Sequence, residues 1–227
     1  DGSFANIAVL YRIGEDANLD RIVTTGDCPG ILTVTAGVDL GEGASLRQTG
    51  LTFGGKLVRL ETHLSHPGAK ADARIDGVYL LAPGRHADQT TTATVHGPGG
   101  TLAQLIKGAV ASNGHGVFQG KIHVEREAQR TDARMTHRAL LLGDRAEVDA
   151  KPELEIYADD VQCAHGNALG AIDETALFYM RQRGLPETQA RAILIRSFLS
   201  EPLDLIRDAA MRDSLLEDLA KGLEALS

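Results

Sequence analysis

From residue 1 to about residue 150 the chain is a succession of short β-favouring runs broken by glycine. Ile7 to Tyr11, Arg21 to Thr25, Ile31 to Thr35, Lys56 to Leu60 and Val78 to Leu81 are examples, with Gly41, Gly43, Gly54, Gly55, Gly68, Gly77 and Gly84 among the breaks. No apolar period of 3.6 residues survives between residues 37 and 100, which excludes a helical body there. Most neighbouring runs also lack a two-residue hairpin signal. Short runs with turns at a coarse period of roughly 20 to 25 residues suit a coiled stack of strands, a β-solenoid. The repeat is not strict, so pattern alone leaves a sandwich or jelly roll open.

The texture changes after Gly170. Asp173 can cap a helix through Ala176, Leu177, Tyr179 and Met180, with Gly184 as its stop. Pro186 and Glu187 open a second helix. A last helix, started or kinked at Pro202, is expected to line up Leu203, Ile206, Ala210, Leu215, Leu219, Leu223 and Leu226. The expected division is a β body over residues 1–170 and a small helical domain over 171–227.

At the junction lies Glu153 to Asp173, which holds Cys163 and His165. Strand alternation sends Val161, Cys163 and His165 to one face, with thiol and imidazole about 7 Å apart. That spacing suits a shared soft-metal, iron or sulfur site. A buried structural cysteine beside a surface histidine fits the same pattern. Other polar residues read as structural. Cys28 before Pro29-Gly30 is a turn residue. His63 and His66 are strand-end or loop residues, since Pro67-Gly68 forbids a helix that would pair them. Asp88 to Thr94 is expected to be an exposed strand face, His123 a solvent-facing residue, and Glu125 to Thr136 an exposed connection.

Composition narrows the function. The net charge of −8 argues against a nucleic-acid partner. No apolar run reaches membrane-spanning length and no signal-peptide pattern appears, so a cytoplasmic protein is expected. The 2 cysteines, at 28 and 163, form no disulfide framework and no zinc-ligand spacing. Gly97-Pro98-Gly99-Gly100 lacks the ending of a P-loop and the spacing of a dinucleotide turn. No Gly-x-Ser-x-Gly elbow occurs.

The stretch from Gly116 to Leu185 carries V-F-Q-G-K, then L-L-L-G-D-R-A-E-V, then P-E-L-E-I-Y-A-D-D-V-Q-C-A-H-G, then L-F-Y-M-R-Q-R-G-L. In these motifs the chain resembles the C-terminal half of the SufB/SufD family of iron–sulfur cluster assembly scaffolds, and within it the SufD branch. The resemblance implies a right-handed parallel β-helix followed by a helical domain, and decides against the sandwich. It also implies that a helical N-terminal domain is missing, in keeping with a start at Asp1. The position of the sulfur-receiving cysteine of SufB falls on His137, which cannot carry a persulfide. The C-x-H-G histidine implicated in cluster assembly falls on His165, with Cys163 beside it. The implied partners are SufB, through the C-terminal end of the β-helix, and the ABC-type ATPase SufC, through residues 173–227. The loop after His165 departs from the family pattern at Asn167 and Leu169, a change expected to alter a local turn.

These implications make the chain a scaffold subunit and not an enzyme. No cofactor is expected to be tightly bound in the isolated chain; an iron–sulfur cluster would be held transiently in the complex. His165 would supply an imidazole, the partner a thiolate, and Asp159, Asp160 or Glu155 would act nearby. Cys163 is either a ligand or packing. An unpaired last coil predicts a homodimer when SufB is absent. Two alternatives stand beside this reading. One is a purely structural subunit. The other is a carbohydrate-active β-helix enzyme, for which adjacent Asp159 and Asp160 make a poor carboxylate pair.

Overall fold

The computed structural model describes residues 2–26 and 28–226. These form twelve strands and three helices. One parallel six-stranded sheet runs in the order β1 (Phe4–Ile13), β3 (Cys28–Leu40), β5 (Gly55–His66), β7 (His86–Val95), β9 (His115–Val124), β11 (Glu147–Ile156). The other runs β2 (Asn18–Thr25), β4 (Ser45–Thr52), β6 (Asp72–Leu81), β8 (Thr101–Val110), β10 (Asp132–Leu141), β12 (Gln162–Gly170). Successive strands alternate between the two sheets, so each pair makes one coil of a β-solenoid.

The coils are longer than glycine spacing suggests. Thr25 bonds its counterpart Thr52 at a separation of 27 residues, and His137 bonds Asn167 at 30. The cause is that several glycines are not breaks. Gly77 sits in mid-strand, where a Cβ would lie 2.1 Å from the side-chain oxygen of Gln89. Glycine here makes room for a neighbour and leaves the strand intact. Cys28 likewise begins β3, with a register shift before Ile31, so it is not a turn residue. Strand β10 starts at Asp132, so the exposed connection is shorter than the charged sequence implies.

Inward and outward positions alternate along each strand. In β10, Ala133, Met135, His137 and Ala139 are buried while Arg134 and Arg138 are exposed. The inward columns from all coils form one core that includes Ile75, Tyr79, Ile106, Phe118 and Ile122. Polar side chains also enter it. Gln89 and Thr91 of β7 are buried, contrary to an exposed face over Asp88 to Thr94. They are tolerated because the interior supplies partners: Gln48 donates to Thr62 at 2.8 Å, and Thr91 to Gln104 at 3.1 Å. Gln48, Thr62, Gln89 and Thr91 border a cavity of about 20 Å³, room for one water. His66 ends β5 fully buried, bonded to the Thr101 carbonyl and the Gly68 N–H.

The second sheet is apolar on its outer face too. Leu51, Val78, Leu80 and Ala109 pack against Ile195, Leu199, Leu215, Leu219 and Leu223 of the helices. This explains why β6 from Ile75 onward and β8 from Ile106 onward are buried at every position: both faces are covered. Helix α1 (Glu174–Gln182) is capped by Asp173, whose carboxylate accepts from the Thr175 and Ala176 N–H groups. Gly184 follows with φ +88°. Helix α2 (Glu187–Ser200) follows Pro186. Helix α3 (Ala209–Glu224) starts later than Pro202 suggests, because Asp208 caps it by accepting from the Met211 N–H. Leu203 and Ile206 therefore join the helical core from turns. No described helix is long and apolar enough to cross a membrane.

Candidate functional site

Strands β11 and β12 end their sheets, each paired on one side only. In β12 the register sets Cys163 over Ala133, His165 over Met135, Asn167 over His137 and Leu169 over Ala139. All four β10 partners point into the core. Cys163, His165, Asn167 and Leu169 thus continue the inward columns onto the last coil, where no further coil covers them. The same happens across the mouth, where Val148, Ala150, Pro152 and Leu154 continue the columns of Gly116, Phe118, Gly120 and Ile122. His165 is consequently exposed although its column is internal. The residues Asn167 to Gly170 continue the strand and form no turn.

Cys163 differs from His165. It is half-buried against the solenoid core together with Val148, Leu154 and Val161. Burial pushes its thiol above the usual range, which holds it protonated and weakens it as a ligand.

The carboxylates do not gather around this pair. Glu155 lies in the outward column of β11, where it accepts from Lys121 at 2.7 Å and pairs with His123 at 3.0 Å. Those bonds hold its carboxyl below the ordinary glutamate range. His123 is outward as expected, with its ring 5.2 Å from that of Tyr157. Asp159 and Asp160 sit in the exposed turn between β11 and β12, where the Asp160 N–H donates to Gln129. Among the described residues, no group of three or more histidine, cysteine, aspartate or glutamate side chains could hold a metal. One exposed imidazole on an open coil can furnish one ligand to a site completed from outside.

His137, read from the resemblance as unable to carry a persulfide, has a structural role that the sequence did not reveal. It is fully buried. Its Nε2 lies 2.8 Å from the Tyr79 hydroxyl, its Nδ1 lies 2.7 Å from Asn167 Oδ1, and Phe118 stacks on its ring at 4.8 Å. Burial lowers its pKa, so the ring is neutral. Tyr79 reaches it across β8 only because position 108 is glycine: a Cβ there would lie 1.9 Å from the tyrosine ring. A buried histidine opposite an asparagine in the next coil was a readable signal only with the register known.

Residues 1–198 fit the family described as SUF system FeS cluster assembly, SufBD core domain, and the chain belongs to that family. Within it, the chain is similar to the iron–sulfur cluster assembly protein SufD of Escherichia coli, at 36% identity over 81% of this chain and 44% of that protein. It is also similar to a SufBD family protein of Synechocystis, at 31% identity over 93% of this chain and 47% of the relative. The chloroplast protein ABCI7 of Arabidopsis thaliana matches at 38% identity over 76% of this chain and 36% of the relative. The chain therefore spans less than half the length of each of these relatives.

Proposed function

We propose that the chain is the SufD-like part of a SUF scaffold complex and helps build iron–sulfur clusters at its contact with a SufB-type partner. The observation that carries this is His165 standing exposed in an inward column of the uncovered last coil. A second solenoid placed end to end would cover that coil and face His165. In this reading His165 supplies an imidazole from one side and the partner supplies thiolate, a mixed donor set suited to iron and sulfide. The solenoid makes a stiff platform, because each coil is held to its neighbour by a ladder of backbone bonds.

The chain acts as a scaffold, with the chemistry of ATP left to a SufC-type ATPase on the helical domain. The acidic net charge of −8 gives no electrostatic footing for nucleic acid. When SufB is absent, the unpaired edges of β11 and β12 support a homodimer through the same end. Work in the cytoplasm, where thiols stay reduced, suits the 2 free cysteines.

The test is a full-length complex with its SufB-type and SufC-type partners, loaded anaerobically with iron and sulfide. His165→Ala is expected to assemble but to lose bound iron and sulfide, while Cys163→Ala retains them. Normal loading in both variants would mean a purely structural subunit.

A further inference from the structure

We propose that Asn167 is a second functional group of the open coil, its side-chain N–H₂ donating to sulfur of the nascent cluster, with His137 as the residue that positions it. The inference rests on the reading of His165 above.

The direction of the buried hydrogen bonds carries it. Tyr79 is fully buried and its hydroxyl has one partner among the described residues, His137 Nε2. If the hydroxyl accepted from Nε2–H, its own proton would be buried without an acceptor, which is costly. The hydroxyl therefore donates to Nε2. Burial keeps Tyr79 protonated and His137 neutral, so the ring's one proton is on Nδ1. Nδ1–H then needs an acceptor, which is the oxygen of the Asn167 amide at 2.7 Å. With that oxygen turned down into the solenoid, the amide nitrogen is left without a partner among the described residues. Asn167 is exposed and shares its column face with His165, two positions away. Phe118, stacked on His137 with an interplanar angle of 8°, keeps the imidazole from swinging and so fixes the amide.

An amide N–H beside a ligand is the group that tunes iron–sulfur clusters, since hydrogen bonds to sulfur stabilise the reduced, more anionic state and raise the potential. The structure thus assigns two roles to one face: His165 toward iron and Asn167 toward sulfur.

The experiment uses the full-length complex loaded as above. Asn167→Ala removes the donor. Asn167→Asp keeps an oxygen for His137 and replaces the N–H₂ with a carboxylate. Assembly is confirmed by gel filtration, then the rate of iron stripping by a chelator and the cluster potential are measured. Both variants are expected to strip about tenfold faster, as loss of a charge-assisted hydrogen bond implies, and to shift the potential negative. His137→Phe, which keeps the stacked ring but frees the amide, is expected to move the potential the same way. Stripping rate and potential unchanged in both Asn167 variants, while His165→Ala loses its cluster, would overturn this inference and leave the role of His165 standing. Normal loading by His165→Ala would remove the reading on which both depend.

Discussion

Gly108→Ala is expected to destabilise the protein by about 3 kcal/mol, a large effect for one added methyl group. The added Cβ would meet the Tyr79 ring at 1.9 and 2.1 Å and its hydroxyl at 2.4 Å. Overpacking of this kind costs about 1–3 kcal/mol. The ring cannot retreat cheaply, because displacement breaks its bond to His137 and adds about 1 kcal/mol. Thermal or urea unfolding of Gly108→Ala, of Tyr79→Leu and of the double variant measures the coupling. The cost of the alanine is expected to fall by more than half once the ring is gone. Additive costs would show that Gly108 matters for some other reason.

The second large effect concerns the seam between solenoid and helices. Lys107 points outward from β8 beneath α2, where it pairs with Glu201 and its ammonium lies 4.4 Å from the Phe198 ring centroid. Its side chain is 5% exposed, against 56% for Glu201. That asymmetry decides which partner matters. Glu201→Ala leaves a buried ammonium whose remaining partner, among the described residues, is the Phe198 ring, and is expected to cost about 2 kcal/mol. The value lies below the roughly 3–5 kcal/mol of a fully buried pair because water screens Glu201. Lys107→Met removes the buried charge, keeps the contact with Phe198 and strands only an exposed carboxylate, so it is expected to change stability by less than about 1 kcal/mol. Urea midpoints of the two variants check the ranking. A reversed order would mean that the pair does not hold the helices down.

The solenoid was legible because its defining signals are local: short β-favouring runs, glycine turns, and a switch to helical spacing after Gly170. The length of a coil was not, because a glycine in mid-strand looks like a break. Gly77 and Gly108 are absent side chains that accommodate Gln89 and Tyr79 from other strands, a relation that exists only once the register is known. The interior polar residues were hidden for a related reason. Alternation assigns Gln89 and Thr91 outward on polarity, and only the stacked coils reveal that each has a bonding partner inside.

The candidate site was half legible. The Cys163-x-His165 spacing placed both residues on one face, and the fold sets them at successive inward positions of β12, each continuing its own column. Their difference in exposure follows from the walls of the mouth, which cover Cys163 and not His165. The carboxylates near them in sequence, Glu155, Asp159 and Asp160, are turned away. Glu155 faces outward by strict alternation and the two aspartates occupy the turn. Asn167 gained its meaning only from His137 beneath it, a pairing across 30 residues.

The most direct test is whether His165 touches iron in the loaded complex. Full-length chain carrying ¹⁵N-labelled histidine, assembled with unlabelled partners and loaded anaerobically, would be reduced and examined by pulsed electron paramagnetic resonance. A strong ¹⁵N coupling of ligand size that disappears in His165→Ala is the predicted result. A loaded cluster with no histidine nitrogen coupled from this chain would contradict the account, and would place every ligand on the partner.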